Sequence, residues 1–533
     1  MSMFFDSRRS TVNARRGMVA TSQPLAAMAG LRMLMEGGNA VDAAVAAAAS
    51  LSVVEPFYTG VGGDLFALVW MNREKQVRAL NGSGRAPRAA SIDELRGKGL
   101  DQVPYFSPYA VTVPGTVDGW NTLLQSYGSM PLAHVLGPAI EYAEEGYPVS
   151  DLISWLWAAG VEQLSRHPSG AELMLDGRAP KHGEVVRLPE LARTLRAIAE
   201  GGPEAFYRGE LAEKIASFVQ EQGGWLSTDD LAAHTSTWDE PISTDYRGVT
   251  CWECPPNNHG VAALMALNIA EGFDIKGMGF QTPDTYHHLI EAMRLSFADA
   301  LRYIADPRRA EVPIHELLSK AYAKNRRSLV RRGQGLAQVL PGDVKAGSDT
   351  VYVSCVDGQG NACSLINSLY EKFGTGLVVP GTGISLQNRG ALFSLDPTHP
   401  NALEPGKRPY HTIIPAMATR NGELWLSFGV MGMFQQPQGH LQVLVNMIDF
   451  GLDPQAALNA LRFSVQLRGG VALEEGLPQS TFRDLQGRGH SVYLVEGYDR
   501  YIFGGGQVIE RDMDTGVLRG GSEPRKDGCA IGW

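Results

Sequence analysis

The chain has 533 residues, 44% of them apolar and 20% charged, the balance of a globular protein with a large core. Its formal net charge is −10 with no basic cluster of note, which argues against nucleic acid and anionic membrane surfaces as main partners. Five cysteines over this length do not make a disulfide framework.

Met1 to Pro24 has no apolar segment of the signal-peptide kind, and the most apolar run, Ala40 to Val54, carries Asp42 and is too short to span a bilayer. A cytoplasmic protein is the expectation. Gly17 to Trp70 reads as the first compact unit. Pro24 to Glu36 has apolar residues at helical spacing, and Gly37-Gly38 stops it. Asn39 caps the next helix, with Asp42 near the positive end of its dipole. Ala43 to Ala49 makes that helix thin, so another element can pack close to it. Gly60 to Asp64 is a glycine turn feeding the strand Leu65 to Trp70. No helix follows it, so a dinucleotide loop is not expected.

Asn81 to Pro87 is a loop closing the next strand, and Val113 to Val117 is a turn before a helix around Trp120 to Tyr127. From Pro131 to about Phe297 amphipathic helices dominate, clearest at Leu211 to Gln222 and Tyr286 to Tyr303, with one strand segment at Ile242 to Glu253. Cys251 and Cys254 in that segment have CxxC spacing. On a strand, residues three apart face opposite sides, and no second Cys/His pair completes a zinc set. Two unrelated thiols are expected.

Arg326 to Asp349 is basic and then glycine-rich without periodicity, the composition of a linker or cleavable segment. Thr350 then opens an alternating apolar run that predicts a buried strand. Asp357-Gly358-Gln359-Gly360 predicts a hairpin turn, and Cys363 to Leu369 the returning strand. Glu423 to Phe428 reads as a strand, Gly429 to Met433 as a turn at its end, and Gln442 to Gly451 as a helix. Helices outside stacked sheets predict a layered α/β (α+β) fold. On these residues alone Thr350 has two readings. It is a β-branched residue opening a strand, or the future N-terminus of a cleaved chain whose α-amine serves as base for its own hydroxyl.

Several short stretches follow one another in a telling order: Glu36-Gly37-Gly38-Asn39-Ala40-Val41-Asp42-Ala43-Ala44, Val113-Pro114-Gly115-Thr116-Val117, Tyr127-Gly128-Ser129-Met130-Pro131-Leu132, Asp230-Leu231-Ala232-Ala233, Asp245-Tyr246-Arg247-Gly248, Phe373-Gly374-Thr375-Gly376 and Lys407-Arg408-Pro409. In order and spacing the chain resembles the γ-glutamyltransferase family of N-terminal nucleophile hydrolases, over nearly its whole length. The resemblance implies a four-layer αββα sandwich. It also implies a proenzyme that cuts itself between Asp349 and Thr350 into a large subunit, 1–349, and a small one, 350–533, which together stay one compact domain. Thr350 falls on the family nucleophile. Gly432 and Met433 fall on two consecutive glycines whose N–H groups hold the oxyanion, so Met433 departs from the pattern. Ser368 matches a hydroxyl near the nucleophile. His411 and Thr412 fall on a serine pair; His411 either donates to a substrate or faces solvent.

Other departures bear on substrate. The family holds a γ-glutamyl carboxylate with an arginine, where this chain has Ser83, with Arg85 two places on. It holds the ammonium with an aspartate, where this chain has Leu392, and an asparagine is replaced by Tyr370. Losing the arginine and the counter-carboxylate removes charge-assisted bonds. Arg389 falls where a glutamine lines the family pocket. It is either a clamp for a small carboxylate or a surface residue. The short connection from Phe393 to Lys407 lacks the family's lid loop, which implies a more open site. The resemblance is then closer to oxamate amidohydrolases, relatives that act on a compact, carboxylate-bearing amide. Three readings stand: a self-processing amidohydrolase on a small non-glutathione amide, a γ-glutamyl hydrolase or transferase with a rebuilt pocket, and an uncleaved, non-catalytic relative. No metal or other cofactor is expected. The expected partners are the small amide and the two subunits of one precursor, with a homo-oligomer left open.

Overall fold

The computed structural model describes residues 9–336, 350–467 and 469–533. The expected linker is described only as far as Leu336, and Asp349 lies outside the described residues. The strands of the two main sheets are β1 (Val12–Ala14), β2 (Gly17–Thr21), β3 (Asp64–Met71), β4 (Gln76–Asn81), β5 (Thr237–Asp239), β6 (Ile242–Tyr246) and β7 (Val249–Glu253). After Thr350 come β8 (Val351–Asp357), β9 (Ala362–Ser368), β10 (Ala416–Arg420), β11 (Glu423–Met431), β12 (Gly505–Arg511), β13 (Leu518–Ser522) and β14 (Cys529–Gly532). The first sheet has the order β14-β2-β8-β9-β3-β4-β5, the second β1-β13-β12-β11-β10-β7-β6. All neighbours are antiparallel.

The sheets pack face to face through β8 and β9 of the first against β11 and β12 of the second. Every residue of β8 and β9 is buried, as central strands covered on both faces must be. Helices close the two outer faces. α1 (Pro24–Met35) and α2 (Ala40–Val54) lie on the first sheet; α3 (Gly260–Ala270), backed by α4 (Pro283–Tyr303), and α5 (Gln435–Ile448) lie on the second. The result is the four-layer αββα sandwich of the N-terminal nucleophile hydrolases.

The alanine-rich α2 is buried on every side, because further helices cover the face that does not touch the sheet. A Cβ on Gly30 of α1 would come within 2.9 Å of the Ala43 carbonyl oxygen, so glycine there permits the close helix contact. Asn39 and Asp42 form a full capping box. Asp42 also accepts hydrogen bonds from Ser129 N, Ser129 Oγ and Met130 N, tying α2 to the turn after Tyr127.

Two boundaries differ from the sequence reading. Ile242 to Glu253 is two strands, β6 and β7, joined at Arg247 (φ +53°) and Gly248 (φ +81°). Two successive positive φ values suit a two-residue hairpin turn, but an arginine at the first position hides the signal. α5 starts at Gln435, not Gln442. Its first turn carries glutamines and Pro437, which is tolerated there, and the apolar periodicity begins only at Leu441. Cys251 and Cys254 are both buried thiols on opposite sides of β7, one in each of the two main apolar cores. Among the described residues no helix is long and apolar enough to cross a membrane.

Candidate active site

Antiparallel pairing brings several chain-distant residues to one end of the first sheet. Thr350 immediately precedes β8, Val351 pairs with Asn367, and Ser368 pairs with Asp64 at the start of β3. The second sheet faces this edge in fixed register. Ser354 Oγ donates to Ser427 Oγ at 2.7 Å, and Gly429 leaves room for the Tyr352 ring, which a Cβ would meet at 2.5 Å. Continuing that register two residues back along β8 and two forward along β11 leads to Thr350, just ahead of the one strand, and to Met431, the residue before the turn Gly432-Met433, on the other.

Thr350 Oγ1 lies 3.2 Å from Ser368 Oγ, and either hydroxyl can be the donor. Ser368 Oγ also accepts from Tyr370 N at 2.9 Å and from Arg389 Nη2 at 3.3 Å. Arg389 Nη1 donates to Thr412 Oγ1 at 2.7 Å, and the guanidinium carbon sits 4.3 Å from the centre of the Tyr370 ring. Tyr370 holds a φ of +81°, unusual for a residue with a side chain, and stacks on Tyr105 at 5.9 Å. Arg389 is 0% exposed, which removes the surface reading of this residue. Its Nε has no hydrogen-bond partner among the described residues, and no carboxylate of theirs lies within ion-pair distance. Burial pulls its pKa down to about 10, opposed most by the charge of Asp64. A buried cation held only by hydroxyls and a π-face is costly unless an anion joins it.

His411 is wholly buried, so it does not face solvent. Its Nε2 lies 3.0 Å from Asp64 Oδ2, and Ile413 N donates to its Nδ1 at 3.4 Å. The Nε2–H tautomer satisfies both contacts. Burial, then the charge of Arg389, hold the imidazole well below its usual range, so it stays neutral. Its N–H is therefore spent on Asp64. The other carboxylate oxygen of Asp64 accepts from Gly84 N at 2.8 Å and Gln387 Nε2 at 2.9 Å. Burial raises the Asp64 pKa to about 6, with Arg389 pulling the other way. Sequence reasoning passed over Asp64 as the end of a glycine turn. The available signal was a lone carboxylate between glycines and the apolar run of β3.

Gly432 (φ +136°) and Met433 (φ +51°) both adopt the region that favours glycine. Their carbonyls accept from Gln435 N at 2.8 Å and Gln436 N at 3.2 Å. Neither N–H has an acceptor among the described residues. Two unused N–H groups just before α5 are a ready anion cradle. The Met433 side chain is buried in the second core.

Two candidates stand outside the Thr350–Ser368–Arg389–Thr412 cluster. Arg85 donates to Thr235 O at 3.3 Å and lies among Arg308, Asp306 and Arg309. Leu392 packs part-buried against the second core, and its carbonyl accepts from Asn401 Nδ2 at 2.7 Å. Ser83 donates to Asn81 Oδ1 at 2.7 Å, and its carbonyl accepts from the buried Arg408 at 2.9 Å. Arg408, seen in the sequence only as part of a landmark, thus braces the loop 81–83.

The chain has known relatives. The Gamma-glutamyltranspeptidase family model matches residues 26–533. The glutathione hydrolase-like YwrD proenzyme of Bacillus subtilis is 39% identical, covering 98% of this chain and 99% of its own. The oxamate amidohydrolase proenzyme of Klebsiella pneumoniae is 34% identical over 97% and 98%. The crystal structure of cephalosporin acylase from Bacillus halodurans superposes with a TM-score of 0.94 at 48% identity, covering 100% of this chain and 98% of that one. The chain belongs to the γ-glutamyltranspeptidase family and is an enzyme of its hydrolase and acyltransferase class.

Proposed function

We propose that the chain is a self-processing threonine amidohydrolase acting on a small, carboxylate-bearing amide other than glutathione. The observation that carries this is Arg389, a buried guanidinium without a carboxylate partner among the described residues, bonded to Ser368, whose hydroxyl lies 3.2 Å from that of Thr350. In the precursor, the Thr350 hydroxyl attacks the Asp349 carbonyl and the peptide becomes an ester. Water hydrolyses the ester and releases the Thr350 amine. An α-amine with a pKa of roughly 7.7–8.0 is partly neutral near pH 7 and can take the hydroxyl proton. With substrate, Thr350 attacks the amide carbon, the N–H groups of Gly432 and Met433 receive the oxyanion, and the amine leaves with a proton. Water, or a second amine, then resolves the acyl-enzyme.

The pocket disfavours a γ-glutamyl group. Leu392 and Tyr370 supply no counter-carboxylate for its ammonium, and Arg85 is engaged with Thr235. The acylase and amidohydrolase names of two relatives point the same way. Intact mass and N-terminal mapping of purified protein test the processing, with fragments beginning at Met1 and Thr350 expected. Steady-state assay of oxamate against γ-glutamyl-p-nitroanilide tests the substrate. Efficient turnover of the glutamyl compound at low concentration would favour a γ-glutamyl hydrolase or transferase instead.

A further inference from the structure

Asp64 is a second buried charge that the reaction just described does not use. It accepts from Gly84 N, Gln387 Nε2 and His411 Nε2 and is 0% exposed. Arg389 is the largest of the charges acting on it, yet the two form no direct ion pair. The site therefore holds a cation, Arg389, and an anion, Asp64, that are near each other but form no direct ion pair. A substrate carboxylate docking on Arg389 would bring a second anion into the same dry space. Two carboxylates that share a buried site do not both stay ionised.

The structure holds a place for the extra proton. Gln387 Oε1 is buried and has no hydrogen-bond partner among the described residues. Rotating the Gln387 amide by half a turn would present that oxygen to Asp64 Oδ1, turning a donor into an acceptor. The rotation breaks the 2.9 Å bond from Nε2 to Asp64, which re-forms with the donor on Asp64, and the long 3.3 Å bond to Val113 O. A protonated Asp64 could then donate to Gln387 while still accepting from Gly84 and His411.

We propose that Asp64 adapts the site to an anionic acyl group by taking up a proton from solvent when a substrate carboxylate docks on Arg389, which makes binding of that carboxylate pH-dependent. This rests on the reading of Arg389 as the carboxylate clamp. Its near-neutral titration, raised by burial to about 6, puts the uptake in the physiological range. The other groups facing Asp64 are Arg408, the neutral His411 with His259 beyond it, and Tyr207. Arginine and a buried tyrosine do not titrate there, and burial holds His259 down at about 3. The remaining one is the Thr350 amine released on processing, with an ordinary pKa of roughly 7.7–8.0.

Calorimetric titration of the processed enzyme with acetate, oxalate and succinate, at pH 6.5 in MES and in bis-tris, measures the protons taken up. At that pH the Thr350 amine is already protonated. Asp64 should take up roughly 0.7 proton per carboxylate bound, and affinity should fall roughly tenfold from pH 6.5 to 8. Asp64→Asn should bind the same carboxylate at least as tightly, with no uptake at pH 6.5. Uptake below roughly 0.2 proton in the wild type overturns the proposal even if Asp64→Asn does not fold, and so does undiminished uptake in Asp64→Asn. If no carboxylate binds at all, the Arg389 reading itself falls and takes this inference with it. Binding without uptake leaves that reading standing.

Discussion

Ser354 and Ser427 are hydrogen-bonded across the two sheets at 2.7 Å, and this bond fixes how far one sheet can slide over the other. A slide of one residue would break this bond and shift Thr350 relative to the Gly432-Met433 turn at the end of β11. The proposed nucleophile and its proposed oxyanion donors come from different sheets, so their spacing is a property of the packed sandwich and of no single loop.

Thr350→Ala removes the hydroxyl needed for both reactions. A single chain of full mass is expected on a denaturing gel, with no measurable amide hydrolysis. Thr350→Ser should still process, more slowly, because the β-branch that restricts the hydroxyl rotamer is lost. Processing in the alanine variant would contradict the proposed mechanism.

Arg389→Gln keeps polarity and removes the charge. A charge-assisted hydrogen bond contributes about 1.5–3 kcal/mol, so kcat/KM for oxamate should drop roughly 10- to 150-fold. A neutral amide of similar size should change by less than about threefold. Arg389→Lys should recover part of the loss only, since an ammonium cannot reproduce the planar fork between Ser368 and Thr412. Equal losses on both substrates would assign Arg389 a structural role.

Met433→Gly relieves the left-handed backbone at φ +51°, worth about 1–2 kcal/mol. It also empties a core position, and removing a buried methionine side chain costs about 2–5 kcal/mol. The cavity wins, so a Tm lowered by several degrees is the expected outcome. Both N–H donors persist, so self-processing should survive, and amides with bulkier acyl groups should gain relative to oxamate. A higher Tm would show that backbone strain outweighs packing here.

The chain approaching the proposed processing site is clamped by a histidine pair. His287 Nε2 lies 2.8 Å from Arg331 O, and His287 Nδ1 lies 2.8 Å from His490 Nε2. Both rings are neutral when His287 donates to the carbonyl and accepts from His490. Burial lowers their pKa values to about 4 for His287 and about 3 for His490, even with Glu291 3.6 Å from His490. The unfolded histidines take up protons near pH 6.5, so between there and pH 4 the unfolded state binds more protons. Stability from this pair is therefore complete above about pH 7 and declines as pH falls. Thermal unfolding from pH 8 to 4.5 should show the decline, and His490→Gln, which keeps a donor without titrating, should flatten it. An unchanged slope in that variant would place the acid sensitivity elsewhere.

The sheets, the cap at Asn39 and the buried strand after Thr350 were readable because each rests on local chemistry: alternation, a capping side chain, a turn. The layered fold followed from them. The site was readable only in pieces. Arg389 and Thr412 stood out as departures from a pattern, but their 2.7 Å bond spans 23 positions of sequence and has no local signature. Asp64 was missed for a related reason. Its partners, Gly84, Gln387 and His411, come from three separate segments, and a carboxylate beside a glycine turn reads as an exposed loop until the sheet above it is known. Arg85 was placed by counting along a loop, and loop direction is what counting cannot supply.

In the first sheet, β8 and β9 lie between β2 and β3; in the second, β10 has β7 on one side and β11 on the other. Strands from before and after position 350 are thus interleaved within both hydrogen-bond ladders. A backbone severed there would change connectivity without releasing either piece, since pulling them apart means unzipping both sheets at once. If the proposed self-cleavage holds, such a nick would be a one-way record of folding: it would be written in an assembled sandwich, and a melted molecule would then have to reunite two polypeptides where it first folded one.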